Sequence, residues 1–355
     1  MKKRKIKGKI ISLIAAIILI ALSIYKIPNF INHNKLLDLG YSEENILMIN
    51  RKGLRSTILK NNYYSDYLKQ ELMKESFNKD YIELYTVTDN LNDDSFYLYE
   101  RLKELKGYTD EELIKLYSEA SYYQLVPLSV FDKVNIEQYI EDLKKHPENN
   151  KDITNLDNNY FYEENIIEVE DKENIETFTS PKFTIGNYAP TKLVDIPAIN
   201  GVPDLKLESK ALDAFTKLCS ALRDNDTPIY AVGAYKSYDE QADIYSSSYN
   251  VQNKYVLKPG YHDAQLGLSV SIVSGENESV ANYTSTNAYK FMNEKAHEYG
   301  FIQRYPVGKE AITGENGKTN YYRYVGEELA KKIHESGLTF DEYYMMYIYG
   351  NDASK

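Results

Sequence analysis

The sequence predicts an α+β fold, and three observations carry the prediction. From Leu36 to His146 apolar residues recur at spacings of three and four with few glycines or prolines, which is helical text. From Leu205 onward, helix-period and strand-period segments mix without the regular alternation of a βαβ architecture. Ahead of both lies an apolar run, Ile10 to Tyr25, interrupted only by Ser12 and Ser23.

That run is expected to be a transmembrane helix. With Ile27 and Phe30 as interfacial extensions it reaches the roughly 17 to 25 residues that a bilayer needs. The alternative is a cleaved signal peptide, but Leu22-Ser23-Ile24-Tyr25 puts bulky groups where a signal peptidase requires small ones. Lys2, Lys3, Arg4, Lys5, Lys7 and Lys9 precede the run, so the positive-inside rule leaves residues 1–9 as a cytoplasmic tail, 10–27 as the anchor and the bulk outside the cell membrane. Those six and Lys26 are seven of the 42 basic residues; the remaining 35 face 53 acidic ones, a net of −18. So acidic a body excludes nucleic acid as a partner. One cysteine, Cys219, excludes an internal disulfide framework and any Cys-rich zinc module, and fits a bacterial surface protein.

Residues 28–146 form the helical extracytoplasmic region. Gly40-Tyr41-Ser42-Glu43-Glu44-Asn45 and Gly107-Tyr108-Thr109-Asp110-Glu111-Glu112 share one grammar: glycine ends a helix, and Ser42 or Thr109 caps the next, with Thr109 and Glu112 forming a capping box. This is either a degenerate repeat of helical hairpins or ordinary punctuation, since Gly337-Leu338-Thr339 repeats it elsewhere. Residues 147–179, rich in Asn, Asp and Glu, read as a linker. Residues 180–355 form the second domain. It should contain a helix at Leu205–Arg223 that buries Leu212, Phe215, Cys219 and Leu222, and a strand at Pro228–Tyr235. A helix near Asp239–Tyr245, a Pro259-Gly260 turn, a strand at Leu268–Val273 and a helix at Ala288–Tyr299 follow.

Short motifs in this domain come in a specific order: Tyr188-Ala189-Pro190, Tyr235-Lys236-Ser237-Tyr238 with Gln241, Pro259-Gly260, Gly267-Leu268, Gly300-Phe301, Arg304-Tyr305-Pro306, Thr313-Gly314 and Tyr322-Arg323-Tyr324-Val325-Gly326. With them the segment from Tyr188 to Tyr349 resembles the zinc D-alanyl-D-alanine carboxypeptidases of the VanY type. The resemblance implies a small antiparallel sheet flanked by helices, of the D,D-peptidase/Hedgehog kind, and a cell-wall context. It also implies zinc, held by the histidine and aspartate of a P-G-x-S-E-H-Q-x-G-L-A-x-D segment and the histidine of an E-P-W-H segment, whose glutamate is the general base.

Here the matching segments read Pro259-Gly260-Tyr261-His262-Asp263-Ala264-Gln265-Leu266-Gly267-Leu268-Ser269-Val270-Ser271 and Lys318-Thr319-Asn320-Tyr321. In ungapped register the three metal ligands become Ala264, Ser271 and Tyr321, and the base becomes Lys318. Alanine offers no donor atom, a neutral serine is a poor zinc ligand, and an ammonium neither binds a cation nor accepts a proton at neutral pH. The expectation is therefore a pseudoenzyme with no catalytic residues, metal or cofactor. One alternative is an active zinc carboxypeptidase with a relocated site using His262 and Asp263; another is a scaffold for other envelope proteins. No G-x-S-x-G stretch supports a serine mechanism, and His297 and His334 read as helix residues.

The family's substrate-carboxylate arginine matches Lys236. Tyr235, Lys236, Ser237, Gln241, Lys318 and Tyr321 are therefore the candidate ligand-binding residues, and a peptidoglycan stem peptide the candidate partner. Against this, Lys318 could be a solvated loop lysine and Tyr321 a plug.

Overall fold

A computed structural model of the chain describes residues 29–89, 91–145, 166–247, 255–276 and 279–350. The expected tail and anchor at 1–9 and 10–27 lie outside the described residues. Among the described residues no helix is long and apolar enough to cross a membrane.

The N-terminal half is helical. After a helix over 29–38 come α1 (Glu43–Arg51), α2 (Arg55–Asn61), α3 (Asp66–Leu72), α4 (Leu84–Val87), α5 (Asp93–Lys106), α6 (Asp110–Glu119), α7 (Tyr122–Leu125) and α8 (Ile136–Lys145). The caps fall where the sequence puts them: Ser42 closes a capping box with Asn45, and Thr109 with Glu112. Gly40 and Gly107 take positive φ at the preceding helix ends.

The chain divides into two compact units, Met1–Asp94 with Leu113–Ser118, and Ser95–Glu112 with Glu119–Lys355. In the first, Leu36, Ile46, Ile49, Ile58, Leu68, Leu72, Leu84, Leu113 and Leu116 are buried. The second contains a four-stranded sheet of order β5-β6-β8-β7, antiparallel throughout: β5 (Ile229–Gly233), β6 (Ser269–Ser274), β7 (Phe301–Gln303) and β8 (Tyr321–Tyr324). Two small pairs flank it: β1 (Ile167–Glu168) with β2 (Phe183–Thr184), and β3 (Leu193–Asp195) with β4 (Lys206–Glu208).

Strand alternation gives the main sheet two different faces. Val270, Ile272, Phe301 and Tyr322 join Leu212, Phe215, Leu218, Cys219 and Leu222 of α9 (Ser209–Asp224) in one core. Cys219 is thus a core residue, its thiol pKa pushed up to about 12 by burial. The register pairs Ser269 with Arg323 and Ser271 with Tyr321, which places these four together on the opposite, polar face.

Composition assigns residues 147–179 to a linker; 147–165 lie outside the described residues, and the end of the segment is packed. Thr177, Phe178 and Thr179 are buried, and the Phe178 ring stacks on Tyr344 with centroids 4.2 Å apart. Carbonyls of Ile175, Thr177 and Thr179 accept hydrogen bonds from Arg323 and Arg304. Main-chain acceptors leave no trace in composition, which is why polar text concealed an ordered segment.

Candidate functional site

The loop from Pro259 to Gly267 builds one wall of the site. Gly260 has φ +88°, and a Cβ there would meet the Gly186 carbonyl oxygen at 2.9 Å, so only glycine fits. Gln265 pins the loop: its Oε1 accepts from the Gly260 N–H at 2.9 Å and its Nε2 donates to the Gly186 and Tyr188 carbonyls, both at 2.8 Å. A 3₁₀ turn, Asp263–Leu266, lies between the Pro259-Gly260 turn and β6. His262 caps it, Nδ1 accepting the Ala264 N–H at 3.0 Å. An acceptor at Nδ1 requires the neutral ring, and burial, followed by the Lys318, Lys236 and Arg304 charges, holds the His262 pKa well below its ordinary value.

Asp263 is committed elsewhere. It is fully buried, ion-paired with Arg304 Nε and 3.3 Å from Arg323 Nε, and accepts from Thr179 Oγ1 at 3.0 Å and Tyr305 Oη at 3.3 Å. Arg304 also pairs with Asp341. Burial alone would lower the Arg304 pKa, but the Asp341 and Asp263 carboxylates outweigh it and raise it well above its ordinary value. Two arginines and two aspartates thus neutralise one another beneath the site. Sequence reasoning recorded Arg304 and Arg323 only as motif landmarks; the signal it passed over was an arginine in each of two strand motifs.

Tyr321 projects from β8 into the site. Its ring meets Tyr305 at 5.2 Å and His262 at 5.7 Å between centroids, and among the described residues its buried hydroxyl makes no hydrogen bond of normal geometry, the Ser269 side chain being its nearest polar influence. The Lys318 ammonium lies 5.1 Å from the Tyr321 centroid and 5.4 Å from that of Tyr305, and pairs with Glu315 at 3.1 Å. Glu315 in turn accepts the Leu257 N–H at 3.0 Å and lies 3.9 Å from His262 Nε2. Lys318 is therefore not a freely solvated loop residue; its side chain is 32% exposed and tied on two sides.

The remaining candidates separate into structural and available groups. Ser237 caps α10 (Tyr238–Ser246) through a capping box with Glu240, and Gln241 donates to the Leu257 carbonyl at 2.7 Å, so both are engaged in the fold. Tyr235 is half-buried, its main-chain N–H donating to the Lys206 carbonyl at 3.1 Å. Lys236 donates its main-chain N–H to the Ala264 carbonyl at 3.2 Å, which ties it to the Pro259 loop. Its half-buried ammonium has no hydrogen-bond or ion-pair partner among the described residues. Burial and then the Lys318 charge lower its pKa. Ala264 is buried, and Ser271 lies directly across the β6–β8 pair from Tyr321. Among the described residues no group of three His, Cys, Asp or Glu side chains is placed to hold a metal ion.

Residues 204–327 match the family model described as VanY, D-alanyl-D-alanine carboxypeptidase. The putative carboxypeptidase YodJ of Bacillus subtilis (strain 168) is 31% identical over 225 residues, an alignment covering 59% of this chain and 82% of the relative. The chain belongs to the VanY carboxypeptidase family. A D-alanyl-D-alanine carboxypeptidase of Enterococcus faecalis is 40% identical over 89 residues, but those span only 25% of this chain and 32% of that relative. Among solved structures, the LdcB LD-carboxypeptidase, whose structure addresses peptidoglycan recognition, aligns at 29% identity with a TM-score of 0.47 over 52% of this chain and 92% of that one.

Proposed function

We propose that this VanY-family chain is a membrane-anchored, extracytoplasmic pseudoenzyme that binds the carboxylate end of a peptidoglycan stem peptide without hydrolysing it. The observation that carries the binding half is Lys236: a half-buried ammonium that makes no ion pair among the described residues, its pKa lowered by burial and by the Lys318 ammonium more than the Glu315 and Glu240 carboxylates raise it. Desolvated positive charge that is only partly compensated favours an anion, and a peptide's terminal carboxylate fits the Lys236 ammonium. The apolar run at Ile10–Tyr25 and its basic flank support the anchor.

The residues at the family's zinc positions do not fit the metal. Ala264 has no donor atom and Ser271 only a neutral hydroxyl. Burial raises the Tyr321 pKa far above that of a free phenol, so no phenolate is available at neutral pH. Lys318, standing where the base is expected, places a positive charge against the Tyr321 ring. His262, the nearest unused nitrogen ligand, faces Glu315 and three cations, which opposes a divalent ion there.

Two measurements test the reading. Purified protein should carry no stoichiometric zinc, and a muropeptide ending in D-Ala-D-Ala should produce a saturable shift at roughly millimolar concentration, weakened about tenfold by Lys236→Gln. Tightly bound zinc with release of D-alanine would establish the active-enzyme alternative. Absence of any saturable shift would leave the scaffold reading.

A further inference from the structure

A second concentration of positive charge lies in the same unit, built from residues that take no part in the site above. We infer that Arg101, Lys106 and Lys182 form a binding site for a singly charged oxyanion, a phosphodiester or a carboxylate. Contacts link the three side chains in a ring. Lys106 Nζ donates to the Val130 carbonyl at 3.4 Å; two residues on, Asp132 pairs with Lys182 at 3.0 Å. The next residue, Phe183, meets the Tyr349 ring at 5.3 Å, and the Tyr349 carbonyl accepts from Arg101 Nη2. Arg101 Nη2 also donates to the Met345 carbonyl at 2.8 Å.

Charge compensation within this ring is incomplete. Arg101 is 5% exposed, pairs with no carboxylate among the described residues, and has a buried Nε with no partner. Lys106 makes no ion pair among the described residues; the Asp132 carboxylate offsets part of its charge but is held by Lys182. Burial and then the Lys182 charge bring the Lys106 pKa down to about 8, the mark of an ammonium kept charged at a cost.

A purely structural account would make Arg101 and Lys106 caps. Arg101 does close the last helical turn, Tyr344–Ile348, and Lys106 reaches the end of the 3₁₀ turn Val126–Ser129. A helix C-terminus presents about half a negative charge. Two such ends and one carboxylate against three cations leave about one positive charge unmet, in a body that is otherwise strongly acidic. That surplus suits a monoanion, and the idle Arg101 Nε is a donor for one of its oxygens.

The test titrates full-length protein with dimethyl phosphate and, separately, with acetate, replacing chloride at constant ionic strength and following the Lys and Arg side-chain NMR resonances. Saturable binding of either anion is expected, and which one binds more tightly identifies the ligand class. Lys106→Gln and Lys182→Gln should each weaken it roughly tenfold, and Asp132→Asn, which removes the competing carboxylate, should strengthen it. Without oxyanion, Lys106→Met should raise the unfolding midpoint by relieving the uncompensated charge. Lack of saturable binding by either anion, binding that survives both lysine variants, or binding abolished by Lys236→Gln would overturn the assignment. So would a Lys106→Met variant less stable than the parent, the outcome a capping role requires.

Discussion

The Lys318 ammonium lies over the Tyr321 ring, 5.1 Å from its centroid. On the function proposed above these two stand at the family's general-base and metal-ligand positions, and here they pack on each other. A cation on an aromatic face contributes about 0.5 to 2 kcal/mol depending on desolvation, so the two replacements support one another. Restoring a metal site therefore requires changing them together. The variant Ala264→His, Ser271→Asp, Lys318→Glu, Tyr321→His is expected to gain about one zinc per chain where the parent carries none. Metal analysis after dialysis checks this, and equal zinc in parent and variant would refute the replacement.

The buried Tyr321 hydroxyl yields a prediction of opposite sign to that of its ring. With no hydrogen bond of normal geometry made, Tyr321→Phe removes a desolvated polar group and should leave stability unchanged or raise it by about 1 kcal/mol. Tyr321→Ala removes the contacts to Tyr305 and His262 and should cost roughly 3 kcal/mol or more. Urea unfolding of the pair separates plug from ligand: a strongly destabilised Tyr321→Phe would mean the hydroxyl has a partner.

Asp263 joins Arg304 and Arg323, so among the described residues its loss leaves buried Arg323 without an ion pair and Arg304 with Asp341 alone. Breaking a buried pair from one side costs on the order of 3 to 5 kcal/mol, and Asp263→Asn is expected in that range. The same network ties the 175–179 carbonyls to the sheet, so limited proteolysis of the variant should cut there first. An Asp263→Asn variant as stable as the parent would show that the arginines find other counter-charges.

Much of this was legible in the residues. The helix that buries Cys219, the β5 and β6 strands and the Thr109 capping box depend on local periodicity and local side chains, which the sequence displays directly. The strands β7 and β8 were missed as strands, because three- and four-residue segments carry no periodic signal and their pairing joins positions about twenty residues apart. The motif register drew attention to Tyr321 and Lys318 and weighed His262 only as a relocated ligand, but was silent on Glu315, whose contacts to Lys318 and His262 form only in the fold. Asp263 looked like a spare metal ligand next to Ala264; only the fold reveals that Arg304, forty-one residues later, already occupies it.

His262 gives the last prediction, a pH dependence of known sign. Its Nδ1 must accept the Ala264 N–H, and burial, Lys318, Lys236 and Arg304 all oppose a positive ring, with Glu315 at 3.9 Å acting the other way. The folded-state pKa is therefore depressed below 6.5, the value the unfolded chain is taken to have. Above that value both states are neutral and the cap contributes fully. As pH falls below it, the unfolded chain takes up a proton that the folded chain refuses, and stability declines by up to about 1.4 kcal/mol per pH unit until the folded-state pKa is reached. His297, also depressed, adds a slope of the same sign, so the difference between variants isolates the effect. His262→Asn keeps an acceptor for the Ala264 N–H and cannot titrate; it should be flatter than the parent by about 1 to 2 kcal/mol between pH 6.5 and 5. Chemical unfolding at those two pH values measures it, and parallel curves would show that His262 is already charged in the folded chain.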